Sequence, residues 1–290
     1  MKIYKHAVVI GGRGAHGIWW VSNLARMVER VSIIDKGDST DPLLGADLVI
    51  IALPVEALSE SWHLFELLQQ DTFCVFVTGV MGDQFLRLAV DTWGEFIVPV
   101  LEERGVEVAF AHCLFGVGVD LKGQNVIVNT DHCEATSALW LCEFLRFISD
   151  GALNVQREAR EVHDLNMQFT QAAIRQSIIS FAYQVVMKGV TIESLIKHST
   201  PPFRLYLVMV IRVLMQPKRL CRQIVCSLGM REFVPARDSA GSETVEESFD
   251  RMFDIAVKLL DPRFEHLWKP LATAVAELDR TILAALPRVE

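Results

Sequence analysis

The clearest chemistry in the chain lies in one short stretch. Gly12-Arg13-Gly14-Ala15-His16-Gly17 is a G-x-G-x-x-G run that follows the apolar residues 7–10 and precedes a helical pattern. In that setting the first glycine makes a tight turn and the second lets a pyrophosphate approach the main chain. The third permits close helix–strand packing, and the helix N-terminus favours negative charge. Asp35 closes the next apolar run, 18 residues after Gly17, where a carboxylate can hydrogen-bond a ribose diol. Gly12 to Gly17, with Asp35 and with Leu53 and Pro54 at the end of the third apolar run, are therefore assigned to a nucleotide cofactor, His16 either facing its phosphates or simply capping the helix start. Asp35 favours NAD over its 2′-phosphorylated form. The same carboxylate would serve S-adenosylmethionine equally well, so the loop leaves a hydride carrier and a methyl carrier both open.

Three other side chains could act on a substrate. His112 ends an apolar run, and ligands of doubly wound sheets bind outside the carboxyl ends of strands. As a neutral imidazole it could accept a proton from a hydroxyl near pH 7; the alternative is a structural histidine bonded within a loop. Arg204 and Arg212 stand eight residues apart with only apolar residues between them. They are expected to be part-buried, and so to need an anionic partner, either a protein carboxylate or the carboxylate of a substrate. Guanidinium groups suit bidentate binding of carboxylates, so a small-molecule carboxylic acid is the expected substrate class.

Positioning these groups calls for a sheet and a helical platform. Residues 7–10, 31–34, 46–53, 73–77, 106–110 and 126–128 form short runs rich in β-branched residues, the pattern of strands covered on both faces. Helical patterns at 18–29 and 55–69 lie between them, which predicts an α/β fold: a doubly wound, Rossmann-type parallel sheet. After about residue 150 the pattern becomes helical, over 158–188, 203–215 (started by Pro201-Pro202), 249–260 and 272–286. The expected organisation is a dinucleotide-binding domain over 1–150 and an all-α domain over 151–290.

Composition narrows the function classes. The chain has 290 residues, 51% hydrophobic and 22% charged, too apolar to be disordered. A net charge of −8 argues against a nucleic-acid partner, since neutralising phosphates needs a basic face. No apolar run is long enough to span a membrane. Six scattered cysteines without a C-x-x-C pair read as reduced thiols with no metal site, and the first residues lack a secretory signal pattern, so a cytoplasmic location is expected.

Several ordered motifs together resemble the prephenate dehydrogenase (cyclohexadienyl dehydrogenase) family over most of the chain. They are the glycine loop, residues 46–56, His112 through Gln124, and the run Val162-His163-Asp164-Leu165-Asn166-Met167-Gln168-Phe169-Thr170-Gln171-Ala172, similar to the family's E-H-D-x-x-M-x-x-x-Q-A with Val162 in place of Glu. Phe181-Ala182-Tyr183 and the segment from Ser199 to Arg212 keep the same register. The resemblance implies an N-terminal NAD domain and a C-terminal helical domain that forms a homodimer. It further implies that His112 hydrogen-bonds a ring hydroxyl while hydride leaves that carbon and the ring decarboxylates. Arg212 matches the side-chain carboxylate clamp and Arg204 a second arginine near the site.

Departures from the family cluster on the chemistry. Its D-x-x-S-x-K reads Thr78-Gly79-Val80-Met81-Gly82-Asp83, so a hydroxyl becomes the thioether of Met81 and a cation becomes the acid Asp83. Its H-P-x-F-G-P reads His112-Cys113-Leu114-Phe115-Gly116-Val117, and a further histidine falls on Arg175, an added anion-binding group. Met81, Arg175, Arg204 and Arg212 are accordingly assigned to the substrate. Three readings follow: an NAD-dependent dehydrogenase of prephenate or an altered relative, an S-adenosylmethionine-dependent methyltransferase on the same scaffold, and a ligand-binding protein without catalysis. His163-Asp164 is read as a structural pair at a helix start, Trp19-Trp20 as packing, and Lys218, Arg219 and Arg222 as a solvated helix face. Residues 236–244 read as a connector.

Overall fold

The computed structural model describes residues 3–81, 97–116, 118–227, 245–270 and 273. The chain divides into two compact units, the first ending at Asp164 and the second beginning at Leu165.

The first unit is built on seven strands: β1 (His6–Ile10), β2 (Arg30–Ile34), β3 (Leu48–Ile51), β4 (Phe73–Val77), β5 (Glu107–Cys113), β6 (Asn125–His132) and β7 (Asn154–Arg157). Their order is β2-β1-β3-β4-β5-β6-β7. β1 to β5 run parallel, β6 is antiparallel to β5, and β7 is parallel to β6. This is the doubly wound sheet that the apolar runs predict. The runs are continuous because both faces are covered: every residue of β1 and β3 is buried. On one face Tyr4, Trp140, Phe144 and Trp20 form an aromatic chain with centroid spacings of 4.7, 5.1 and 5.4 Å. On the other, Phe76 stacks on Phe110 at 5.5 Å and meets Phe65 edge-on at 5.8 Å. The described helices of this unit's first 150 residues are α1 (Ala15–Leu24), α2 (Val55–Leu58), α3 (Trp62–Phe65), α4 (Ile97–Glu103) and α5 (Ala135–Ile148), of which α1 carries Trp20, α3 Phe65, and α5 Trp140 and Phe144.

Three boundaries differ from the sequence reading. The helix expected over 55–69 is two single turns joined by a 3-10 turn at Ser59–Ser61. There the Ser61 hydroxyl donates to the Ala57 carbonyl at 2.8 Å, a side-chain bond that competes with the helix ladder. β5 extends to Cys113, so His112 sits on the strand and not after it. The sheet also continues past Gly151, because β7 adds an edge strand whose Asn-Val-Gln-Arg sequence is too polar to announce itself. The first unit accordingly ends at Asp164 instead of residue 150.

In the second unit the described residues are helical. α6 (Arg160–Met167) carries the dividing residue, and a π segment (Gln168–Ala173) joins it to α7 (Ile174–Met187). The long helix expected over 158–188 is thus one helical run with a π turn inside it. α8 (Ile192–Lys197), α9 (Pro201–Leu214), α10 (Lys218–Ser227) and α11 (Val245–Ala256) follow. Pro201 and Pro202 occupy the first turn of α9, where a missing N–H costs nothing. α7 packs on α9 and α11, burying Ile178, Ile179 and Ala182 with Leu207, Ile211 and Phe249. The helix expected over 272–286 lies outside the described residues, except Thr273. Among the described residues no helix is long and apolar enough to cross a membrane, and no group of His, Cys, Asp and Glu could hold a metal ion.

Candidate active site

The glycine loop leaves β1 at the point where strand order reverses, between β1 and β3. Gly11 turns the chain with φ +78°, and its N–H donates to the Ile34 carbonyl at 2.8 Å. A Cβ on Gly11 would stand 2.6 Å from the Ala52 carbonyl oxygen and 3.0 Å from Leu53 Cδ2, so Leu53 lies directly against the turn. Gly17 is tighter still: a Cβ there would fall 2.0 Å from the Gly11 carbonyl oxygen, which is the close helix–strand approach expected of the third glycine. Gly14, in contrast, is exposed, and a Cβ on it would meet only Gly11 O, at 3.3 Å. A pyrophosphate can therefore reach the main chain at Gly14 and at the start of α1, where Ala15 and His16 begin the helix. Burial pushes the His16 pKa below its ordinary value, so its imidazole is neutral at pH 7. Pro54 is exposed just after Leu53.

Asp35 follows β2, and its Oδ2 accepts the Arg13 backbone N–H at 2.9 Å. The Arg13 guanidinium lies over the same corner, with Nη1 2.8 Å from Asp38 Oδ2, Nη2 3.2 Å from Asp38 Oδ1, and Nη1 3.6 Å from Asp35 Oδ2. Asp38 Oδ2 in turn accepts the Asp35 backbone N–H at 2.9 Å.

A second cluster forms at the carboxyl ends of β4 and β5. His112 Nδ1 stands 3.0 Å from His163 Nε2, and His163 Nδ1 stands 2.8 Å from Asp164 Oδ1. The same Oδ1 accepts the Met81 backbone N–H at 3.0 Å. His163 is wholly buried and Asp164 nearly so. A carboxylate only accepts, so His163 donates to it from Nδ1. With both rings neutral, His163 Nε2 then accepts from His112 Nδ1, and the lone pair of His112 lies on its Nε2. That nitrogen faces Gly79, where an added Cβ would lie 3.4 Å away. In that tautomer His112 can accept a hydrogen bond beside the end of β4. The His163–Asp164 pair expected at the helix start is present, and the signal for its link to His112 is its place in a run similar to a family motif. Met81 reaches this cluster through its main chain, and its side chain is fully buried. Asp83 and Val117 lie outside the described residues.

In the helical unit Arg204 and Arg212 are exposed, contrary to the expectation of part-burial. α9 buries Leu207, Val210, Ile211 and Leu214, one stripe at helical spacing, and this turns positions 204, 205, 209 and 212 outward. Arg204 Nε donates to Ser199 Oγ at 3.1 Å. Arg175 is the more enclosed: its Nη1 donates to the Gln171 carbonyl at 3.2 Å, while its buried Nε has no hydrogen-bond partner among the described residues, like both side-chain polar atoms of Gln176. Its pKa is lowered chiefly by burial, which outweighs a raising effect from Cys221, and the neighbouring Arg212 guanidinium adds the smallest, lowering effect. Arg175 and Arg212 thus lie within electrostatic reach of each other, an arrangement that an anion would suit. Lys218 and Arg222 pair with Asp254 and Asp250 of α11.

No protein-family model matches the chain. Among curated proteins it is similar to the T-protein of Haemophilus influenzae, 24% identical over 247 residues that make up 84% of this chain and 60% of that protein. It is also similar to the T-protein of Enterobacter agglomerans, 26% identical over 77% of this chain and 57% of that protein. The chain thus spans about three fifths of the length of these relatives. Among solved structures, a putative prephenate dehydrogenase from Corynebacterium glutamicum superposes with TM-score 0.57 at 14% identity, covering 98% of this chain and 90% of that one. The prephenate dehydrogenase of A. aeolicus, in complex with hydroxyphenyl propionate and NAD+, gives TM-score 0.51 at 14% identity over 98% and 99%. By sequence and fold the chain resembles the prephenate dehydrogenases. The run that contains His163 and Asp164, similar to a motif of that family, is the one that completes the His112 cluster.

Proposed function

We propose that the chain is an NAD-dependent oxidoreductase of a cyclohexadienyl carboxylic acid, prephenate or a modified relative, with oxidative decarboxylation. The observation that carries this reading is the His112–His163–Asp164 chain, which holds a proton-accepting nitrogen at the carboxyl ends of β4 and β5. The glycine loop at β1, open at Gly14 and closed at Gly17, supports a dinucleotide in the same sheet. Bound NAD+ would supply the hydride acceptor. His112 Nε2 then accepts a hydrogen bond from the hydroxyl on the carbon that gives up hydride. The bond from the ring to its carboxylate breaks, carbon dioxide leaves, and the electron pair left behind makes the ring aromatic. Arg175 and Arg212 are assigned to a substrate carboxylate, Arg204 to a supporting position and Met81 to an apolar wall.

Calorimetric titration of the purified protein with NAD+, NADP+, S-adenosylmethionine and S-adenosylhomocysteine tests the cofactor. Micromolar NAD+ binding, followed by NADH absorbance on adding prephenate or a related acid, supports the reading. Tight binding of S-adenosylmethionine with none of NAD+ overturns it in favour of methyl transfer. We also infer a homodimer through the helical unit, supported by the outward Leu205, Met209, Phe169 and Met187 of α7, α9 and the π segment. A monomeric mass by sedimentation equilibrium at micromolar concentration would overturn the dimer.

A further inference from the structure

The corner where Arg13, Asp35 and Asp38 meet holds more charge than binding a ribose diol requires. One carboxylate, Asp35, suffices for two hydroxyls, and its Oδ2 already fixes the loop by accepting the Arg13 N–H. Beside it stands a guanidinium, the group best matched to a phosphate. An arginine at this corner would by itself favour a 2′-phosphorylated ribose. Here it is taken up: both terminal nitrogens of Arg13 reach Asp38, at 2.8 and 3.2 Å, and the pairing raises the Arg13 pKa and lowers that of Asp38.

We propose that Asp38 is a specificity-determining residue, which neutralises Arg13 and so reserves the ribose corner for an unphosphorylated nucleotide. The inference rests on the glycine loop being a nucleotide site, as in the function proposed above, and needs nothing of the reaction. With Asp38 present, a 2′-phosphate meets two carboxylates and a guanidinium already spent on one of them. Without its charge, the phosphate meets one carboxylate and an available guanidinium. Asp38 also accepts the Asp35 N–H, so the residue cannot simply be truncated; Asn at this position keeps an acceptor oxygen while removing the charge.

The test uses ADP-ribose and 2′-phospho-ADP-ribose, which read this corner without the nicotinamide. Wild-type protein is expected to bind ADP-ribose at least about tenfold more tightly, and Asp38→Asn to shift the ratio of the two affinities by about tenfold toward the phosphorylated probe, the size of one charge-assisted hydrogen bond. Adding Arg13→Ala to Asp38→Asn should abolish that shift. An unchanged ratio in Asp38→Asn, or a shift that survives loss of Arg13, overturns the proposal. So does a wild-type protein that binds both probes alike. Binding of neither probe removes the nucleotide site and both proposals with it. Binding of ADP-ribose with the expected shift, but no binding of NAD+, leaves the role of Asp38 standing and removes only the dehydrogenase reading.

Discussion

At the carboxyl end of β1 the surface offered to a ligand is main chain, shaped by glycines whose missing Cβ atoms leave no room for substitution at Gly11 and Gly17. At the carboxyl ends of β4 and β5 the surface is side chain, assembled from positions 51 and 83 residues apart in the chain. The first end is local and steric; the second is non-local and electrostatic. A local turn can be kept through almost any change of chemistry elsewhere. A relay of imidazoles works only if a carboxylate fixes the proton at its far end, and here that carboxylate is itself tied to Met81. The glycine end is thus the generic one, and in the function proposed above the imidazole end is the one that sets the reaction.

The largest effect that tests this contrast is expected at His112. His112→Asn keeps a polar group of similar size but removes the basic nitrogen, so turnover should fall by about 10²-fold or more while nucleotide affinity stays within a factor of about two. Steady-state rates and calorimetry on the same preparation check both halves. A parallel loss of nucleotide binding would show that the two ends are not separable.

Gly17→Ala is the converse change. A methyl group 2.0 Å from the Gly11 carbonyl oxygen must push α1 away from β1, at about 1–3 kcal/mol of overpacking strain. Nucleotide affinity and the denaturation midpoint should both fall. The imidazole NMR signals of His112 and His163 should keep their positions, because no part of that cluster touches α1 in the bonds described above.

Asp164→Asn should cost less, about tenfold in turnover, since the Asn oxygen still accepts from Met81 and from His163 but, being neutral, makes weaker hydrogen bonds than a carboxylate. An unchanged kcat in Asp164→Asn would reduce Asp164 to a tether for Met81. Asp164→Ala is expected to differ, because it leaves the buried Met81 N–H without an acceptor, a stability cost of about 1–3 kcal/mol.

The same contrast explains what could be read from the residues alone. β1, β3 and β4 were legible because both their faces are buried, which leaves an unbroken apolar run. The glycine loop was legible because its sterics act within a few residues. β7 was not, since Asn154-Val155-Gln156-Arg157 has no fully buried residue and so carries no apolar run. Arg212 was misjudged because Leu205 and Met209 are apolar yet exposed, so the run from Leu205 to Ile211 suggests burial all round where α9 has only one buried stripe. His163 and Asp164 were visible as a motif and assigned to structure, because no spacing in the sequence reveals that a helix start at 160 lies against the end of β5.

The smallest effect predicted belongs to His16, and it concerns the steric end. Burial holds its imidazole below the ordinary value of 6.5, so the unfolded chain binds the proton more readily than the folded one. Its contribution to stability is therefore complete above pH 6.5 and is lost as pH falls below that value toward the folded pKa. Other groups titrate over the same range, His6 among them with a pKa lowered first by burial and then by Arg30, so the informative quantity is a difference. Urea midpoints of wild type and His16→Gln should converge or cross as pH falls from 7 to 5, because Gln carries no proton to lose or gain. If the gap between them is the same at both pH values, His16 takes up its proton without resistance and the glycine loop is more open to water than its packing against β1 implies. The main-chain end of the site would then be the softer of the two, and the contrast with the buried His163 would be sharper.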